Sequence, residues 1–425
     1  VGLGRAFYSV LVTLLAPLVL LAERRRSGPA PGRSAERWGK IRVRAEHSLW
    51  VHAVSLGEVQ AAAPLVHALL ARFPGRPMIV STTTATGAQR VVDLFGERVR
   101  HAYLPLDVPR AVRRFLDAIR PDIAIVLETE LWPNLYAECA RRGVPLLLAS
   151  ARLSERSVRR YRILDRVFGG LLRRTLAVAR IAAQSPTDRE RFLAIGAPHD
   201  AVEVAGNLKF DVSIPDSVKA AGAELRQALG RTRPIWVAGS THPGEESILL
   251  DAHAALRERH PDALLVLAPR HPQRFDAVAA DLDARGVQYV RRSREQSPAS
   301  AAVMLVDTVG ELQRFYAAGD IAFVGGTLIE LGGHNLLEPA ALGLPVLCGP
   351  HTFNSPDIAR QLAQAGALQV ASDAQVLSRI LERLIAEPAQ RQQMGRCGRE
   401  VIESNRGACD RLVACAARLL QTSSP

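Results

Sequence analysis

The chain has 425 residues, 48% of them hydrophobic and 23% charged, with a formal net charge of +12. That length and apolar share exclude a disordered chain and predict two or three domains rather than one. The basic balance asks for an anionic partner, but the short arginine clusters (Arg24 to Arg26, Arg113–Arg114, Arg159–Arg160, Arg173–Arg174) lack interleaved aromatics and any zinc-finger or ribonucleoprotein signature, which argues against nucleic acid.

In chain order, the first feature is AFYSVLVTLLAPLVLLA, Ala6 to Ala22, an uncharged stretch followed at once by Glu23 and three arginines. It reaches the lower end of membrane-spanning length. Arginines on its C-terminal side place the body of the protein in the cytoplasm by the positive-inside tendency. A cleaved signal peptide wants the opposite charge order. An uncleaved membrane anchor or interfacial helix is therefore predicted over residues 1–26, with a buried core helix as the alternative. A Gly/Pro-rich link, Ser27 to Arg33, separates it from the rest.

Apolar runs then alternate with Ala/Leu/Arg-rich segments at helical spacing. The runs are LWVHAV, MIVSTTT, IAIVLETE, PLLLASAR and RIAAQS in the first half, and PIWVAGST, ALLVLAP, VMLVDT, IAFVGG and PVLCGP in the second. Continuous rather than alternating apolar runs predict strands buried on both faces of a parallel sheet. Strand–helix–strand repetition predicts an α/β fold, doubly wound. The series pauses in the polar piece Gly206–Pro234, so the linker is set at 211–233, between Rossmann-like domains at 34–210 and 234–425. Two such domains face each other across a cleft, with ligands at the carboxyl ends of the strands. The five cysteines (139, 348, 397, 409 and 415) form no Cys-x-x-Cys pair, which argues for a reducing compartment and against a disulfide framework or structural zinc.

Candidate chemistry follows the strands. In the first half, LWVHAV runs into Ser55, Gly57 and Glu58; a carboxylate in a partly dry cleft can act as general base, its pKa raised by desolvation. The plain alternative is a glutamate favoured at a helix N-terminus. Pro64 either kinks that helix or begins it, which would leave Glu58 on a loop. In IVLETELWPNLY, Glu128 and Glu130 alternate on one face at a strand tip, where two carboxylates need cations, hydroxyls or a shared proton; structural pairing with arginines is the alternative. Lys209 in GNLKFD sits at the domain junction, within reach of a leaving phosphate or simply at the surface. In the second half, Arg270 follows ALLVLAP, where a guanidinium can pair with phosphate. Gly310 in VDTVGEL lets Val309 and Glu311 lie against a base or ribose. Ser240 and Thr241 follow PIWVAG as N-caps or phosphate donors.

The stretch GGHNLLEPAALGLPVLCGPHTFN, Gly332 to Asn354, combines glycines, His334, Asn335 and Glu338 between two strands. Gly325–Gly326 lets a ligand approach the backbone. Asn335 to Glu338 open a short helix ending near Gly343, whose free N–H groups suit a phosphate, and Glu338 can accept from two ribose hydroxyls. A capping box with a structural histidine is the alternative. There is no P-loop, no Gly-x-Gly-x-x-Gly after a strand and no Gly-x-Ser-x-Gly elbow. The acidic pair Asp281 and Asp283 lies in a helical stretch and reads as solvated surface, so no metal cluster is expected.

SLGEV, ETELWPN, GNLKFD, PRHP, DTVGEL and the long glycine-histidine stretch, in this order behind an apolar N-terminal segment, resemble the Kdo (3-deoxy-D-manno-octulosonic acid) transferases of lipopolysaccharide biosynthesis over nearly the whole chain. The resemblance implies the glycosyltransferase B fold (GT-B), with CMP-Kdo as donor, the lipid A precursor as acceptor, and inversion at the anomeric centre. It implies an enzyme held by a single N-terminal anchor at the cytoplasmic face of the inner membrane; a donor with one phosphate and no evident metal cluster together predict a metal-independent reaction with no cofactor. By the same resemblance, Glu58 is the general base, and Glu128 and Lys209 stabilise the transition state. CMP contacts fall on Pro269, Arg270, Val309, Gly310, Glu311, Asn335, Leu336, Leu337 and Glu338. A same-fold rival is a UDP-dependent N-acetylglucosamine transferase, which leaves ETELWPN without a role; a non-catalytic nucleotide sensor is the rival from another class.

Overall fold

The computed structural model describes residues 3–27, 33–294 and 298–422, so most of the Gly/Pro-rich link lies outside the described residues. Two compact units emerge: residues 1–211 with 405–425, and residues 212–404.

The first unit holds a seven-stranded sheet: β1 (Ser48–His52), β2 (Met78–Thr82), β3 (Arg100–Tyr103), β4 (Pro121–Leu127), β5 (Leu146–Ala151), β6 (Ala179–Ala183) and β7 (Val202–Val204), in spatial order β3-β2-β1-β4-β5-β6-β7. The second unit repeats the design with β8 (Ile235–Thr241), β9 (Leu264–Pro269), β10 (Tyr289–Arg291), β11 (Val303–Leu305), β12 (Ile321–Val324), β13 (Val346–Cys348) and β14 (Leu368–Val370), in order β10-β11-β9-β8-β12-β13-β14. Neighbouring strands pair in parallel in both sheets. Helices cover both faces, so every residue of β1 and β9 is buried. On one face of the first sheet Trp50 packs edge-on against Phe115, with ring centroids 5.2 Å apart. On the other face Leu49 and Val51 meet Leu65, Val66 and Leu69 of the helix Leu56–Arg72. The apolar runs read from the sequence are thus the interior strands. The four strands without a sequence signal (β3, β7, β10 and β14) are the four sheet edges, short and partly exposed.

The units divide differently from the sequence reading at two places. The supposed linker is not free: the helix Asp216–Leu229 packs in the second unit, where Gly222 abuts Ala317 and Arg226 pairs with Asp320 at 2.9 Å. The last helix, Ala408–Thr422, belongs to the first unit: Leu412, Cys415, Ala416 and Leu420 enter its core. Asp211 fastens that return by accepting from the backbone N–H groups of Gly407 at 2.7 Å and Cys409 at 2.6 Å, a carboxylate at a helix start.

The N-terminal helix runs from Leu3 to Ser27, and Leu3–Glu23 is long and apolar enough to cross a membrane. It is not a buried core helix, since Phe7, Val10, Leu14 and Leu18 are exposed. Nor does it stand clear of the first unit. Ser9 donates to Asn134 Oδ1 at 2.8 Å, Ala16 packs with Leu106, Val108 and Ala111, Phe7 and Tyr8 flank Phe168, and Glu23 pairs with Arg37 at 2.8 Å.

Candidate active site

In the first unit, β1 leads through Val54 and Ser55 into the helix Leu56–Arg72, which passes through Pro64 without ending there. Glu58 stands in its first turn. One carboxylate oxygen accepts from the Val54 N–H at 2.8 Å, and the other faces the Ser55 hydroxyl at 3.4 Å. The helix-start reading holds for this residue, which is also partly buried. Burial pushes the Glu58 carboxyl from its ordinary 4.5 up to about 7; the Val54 N–H opposes this, and the charges of Glu128 and Glu130 add to it.

Glu128 and Glu130 do not alternate along a strand as expected. β4 stops at Leu127, and Glu128 adopts a left-handed backbone with φ +56°. The Glu128 carboxylate meets Lys209, whose Nζ lies 3.8 Å from its Oε1. Glu130 sits among Trp132, Tyr136 and Tyr161, and its burial raises its carboxyl to about 7. Lys209 lies on a single turn, Leu208–Phe210, started by Asn207, whose side chain accepts from the Lys209 N–H at 3.0 Å. Glu58, Glu128 and Lys209 line one small hollow with Ala61, Leu127, Ser150, Gln184, Asn207 and Leu208. Ser150 is also left-handed, at φ +51°. Two non-glycine residues in this conformation cost about 1–3 kcal/mol each, and such strain gathers where geometry serves function. All three residues assigned to catalysis thus come together, and Ser150 and Gln184 join them without any sequence signal.

In the second unit, the assigned residues lie beyond the carboxyl ends of β9, β11 and β12. Pro269 closes β9, and the Arg270 N–H donates to Thr241 O at 3.0 Å, tying that turn to the end of β8. Gly310 has φ +87°, a turn suited to glycine, and leaves Val309 exposed. Glu311 does not offer a free carboxylate: it takes Arg292 at 3.0 Å and the Thr308 hydroxyl, and these bonds hold its pKa below the ordinary value. Its carbonyl accepts from the N–H groups of Arg314 and Phe315 at 2.9 and 3.3 Å. Glu338 is raised by burial, offset by hydrogen bonds from Asn335 and Gln313 and by the nearby Arg270.

Two expectations about phosphate binding change. The short helix begins at Leu337, not Asn335, and the Asn335 side chain accepts the Leu337 N–H at 3.0 Å while donating to Glu338 at 3.1 Å. Asn335 is a cap, so it already satisfies part of the helix start. The Gly325–Gly326 turn is also occupied. Glu245 accepts from the N–H groups of Gly326, Thr327, Leu328 and His242 at 2.7, 3.0, 3.0 and 3.0 Å. Gly325 is needed because the Ser240–Thr241 backbone lies where its side chain would point, rather than for ligand approach. Ser240 itself is left-handed at φ +58°. Sequence reasoning missed Glu245 because nothing in GEES marks one glutamate as facing a distant loop. Asp281 and Asp283 are surface groups on the helix Phe275–Ala284, engaged with Arg285 and Tyr289. Among the described residues, no group of three or more His, Cys, Asp or Glu stands close enough to hold a metal ion.

Two parallel sheets of this topology, each carrying polar groups past its strand ends, make up the GT-B architecture. A family model described as 3-deoxy-D-manno-octulosonic-acid transferase (kdotransferase) matches residues 32–212, and one for glycosyl transferases group 1 matches residues 241–401. The chain is 40% identical over 417 residues to the 3-deoxy-D-manno-octulosonic acid transferase of Haemophilus influenzae, covering 96% of this chain and 97% of the relative. It is 42% identical over 429 residues to that of Bordetella pertussis, covering 96% and 98%. Among solved structures, UDP-GlcNAc 2-epimerase from Neisseria meningitidis aligns with a TM-score of 0.59 at 16% identity, over 87% of this chain and 100% of the epimerase, a likeness of fold alone. The chain belongs to the Kdo transferase family and is a glycosyltransferase that transfers Kdo.

Proposed function

We propose that the enzyme moves Kdo from CMP-Kdo to the lipid A precursor with inversion, and that Glu58 is the general base. Glu58 removes the proton from the acceptor hydroxyl as its oxygen attacks the anomeric carbon from the face opposite CMP. A carboxyl held near 7 is poised for this, being substantially ionised at neutral pH yet basic enough to take a proton. Positive charge grows on the sugar ring and negative charge on the departing phosphate. Glu128 answers the first and Lys209 and Arg270 the second. The nucleoside lies against Val309 and Gly310, the Glu311 backbone, Leu336 and Leu337, with Glu338 accepting from ribose. A donor with a single phosphate asks for less neutralisation than a diphosphate, so the reaction is proposed to need no metal or cofactor. The exposed side of the N-terminal helix sits in the cytoplasmic leaflet of the inner membrane, where the acceptor's acyl chains lie.

The observation that carries this reading is the raised Glu58 carboxyl in a hollow shared with the Glu128–Lys209 pair. The test is transfer of labelled Kdo from CMP-Kdo to the lipid A precursor by wild type and Glu58→Gln, with CMP affinity measured in both. Equal CMP binding with product only from the wild type is expected; a Glu58→Gln enzyme that keeps most of its rate would remove Glu58 from the base role.

A further inference from the structure

Past the ends of β8, β9 and β12 lies a group of side chains to which the reaction as described gives no work. His242 follows β8, His271 follows Arg270 beyond β9, and His334 follows the Gly325–Gly326 turn beyond β12. The His242 and His334 rings lie 5° from parallel with 5.0 Å between centroids and meet edge to edge, Nε2 to Nε2 at 2.7 Å. His271 meets His242 edge-on at 5.3 Å. An Nε2–Nε2 hydrogen bond needs a proton on one nitrogen and a lone pair on the other, so at most one of these two nitrogens is protonated.

The corner is short of negative charge. Arg270 and Arg274 both bear on His242, and Arg270 and His271 bear on His334. The carboxylates around it have partners: Glu246 takes Arg274 at 2.6 Å and the Thr241 hydroxyl at 2.9 Å, Glu245 takes four backbone N–H groups, and Glu338, which bears on Arg270, takes the Asn335 side chain at 3.1 Å. Burial, with the neighbouring cationic groups, pushes His334 down to about 4 and lowers His242. With Arg274 neutralised by Glu246, three imidazoles and the Arg270 guanidinium face this corner, and each proton an imidazole accepts is repelled by Arg270 and by the other rings. An oxyanion would make the arrangement favourable.

Position says which oxyanion. In the sheet, β9 lies between β11 and β8, and β12 lies beyond β8. With the nucleoside beside the β11 turn and its phosphate at Arg270, His271 stands next to the phosphate position, and His242 and His334 one and two strand spacings further on, about 5–10 Å. An octulosonic acid linked to phosphate through its anomeric carbon carries its carboxylate directly on that same carbon, so the acid group falls just past the phosphate. Resting on the donor assignment made above, we propose that His242, His271 and His334 form, beside Arg270, a subsite for the carboxylate of the transferred sugar acid. This subsite selects an acidic sugar where a neutral one would leave the histidines unanswered.

The test compares CMP, which lacks the carboxylate, with CMP-Kdo, which has it. In His334→Ala and His242→Ala, CMP affinity by calorimetry should stay within about twofold of wild type, while KM for CMP-Kdo rises about tenfold or more. His334→Gln, which keeps a donor and an acceptor, should recover part of that loss. Equal weakening of CMP and donor in all three variants would place the histidines on the phosphate or in the fold and overturn the subsite. An unchanged KM for the donor would also overturn it. The two readings separate in the wild type: if it transfers nothing from CMP-Kdo, the donor assignment fails; if it transfers normally and the variants match it, only the subsite fails.

Discussion

Replacing Glu58 by Gln should make the protein more stable, and increasingly so as pH rises. The Glu58 carboxyl titrates near 7 when folded against an ordinary 4.5. Its folded pKa is raised, so the native state holds the proton more tightly than the unfolded chain, and stability falls as pH climbs between those values. The full difference of 2.5 units corresponds to about 3 kcal/mol of destabilisation at pH 8 and about 1 kcal/mol at pH 5. A glutamine removes the charge but accepts more weakly from the Val54 N–H, at a cost of about 1 kcal/mol. The net expectation for Glu58→Gln is a gain of about 2 kcal/mol at pH 8 and about zero at pH 5. Urea unfolding of both proteins across this range measures it. A variant no more stable than wild type at pH 8, or one whose advantage grows toward low pH, would show that Glu58 is not held in a desolvated, like-charged hollow.

Other outcomes follow from the same geometry. Lys209→Met removes the cation 3.8 Å from Glu128 and should lower kcat by about two orders of magnitude, with a smaller loss of CMP affinity, by single-turnover kinetics and calorimetry. Glu338→Ala removes the carboxylate held by Asn335 and should weaken CMP binding about tenfold while the fold persists by circular dichroism. Leu14→Ser with Leu18→Ser, on the exposed face of the N-terminal helix, should cut co-sedimentation with anionic vesicles by about tenfold or more and leave activity on detergent-dispersed acceptor intact.

Much of this was legible in the sequence, for reasons visible in particular residues. Strands buried on both faces need unbroken apolar runs, so β1, β4, β8, β9 and β12 announced themselves. β10, all of whose residues are partly exposed, had no such constraint and left no trace. Glycines and charged residues just past strand ends marked Glu58, Arg270 and Glu338. What stayed hidden depends on contacts far apart in sequence: Asp211 holding Gly407 and Cys409, Glu245 filling the Gly326 turn, and His242 meeting His334. The turn at Glu128 was missed for a different reason. Nothing in a glutamate's composition announces a left-handed backbone, and a strand read on through it puts two carboxylates on one face instead of sending Glu128 to Lys209.

The central claim is that Glu58 takes the acceptor's proton, and the pH dependence of Kdo transfer tests it most directly. With CMP-Kdo saturating and the lipid A precursor limiting, the wild-type rate should rise with pH through an inflection near 7, where the Glu58 carboxyl ionises. Glu58→Gln should be slower by about two to four orders of magnitude and lack that rising limb. A limb that persists unchanged in Glu58→Gln would assign the base to another group, such as Glu130, and contradict the account.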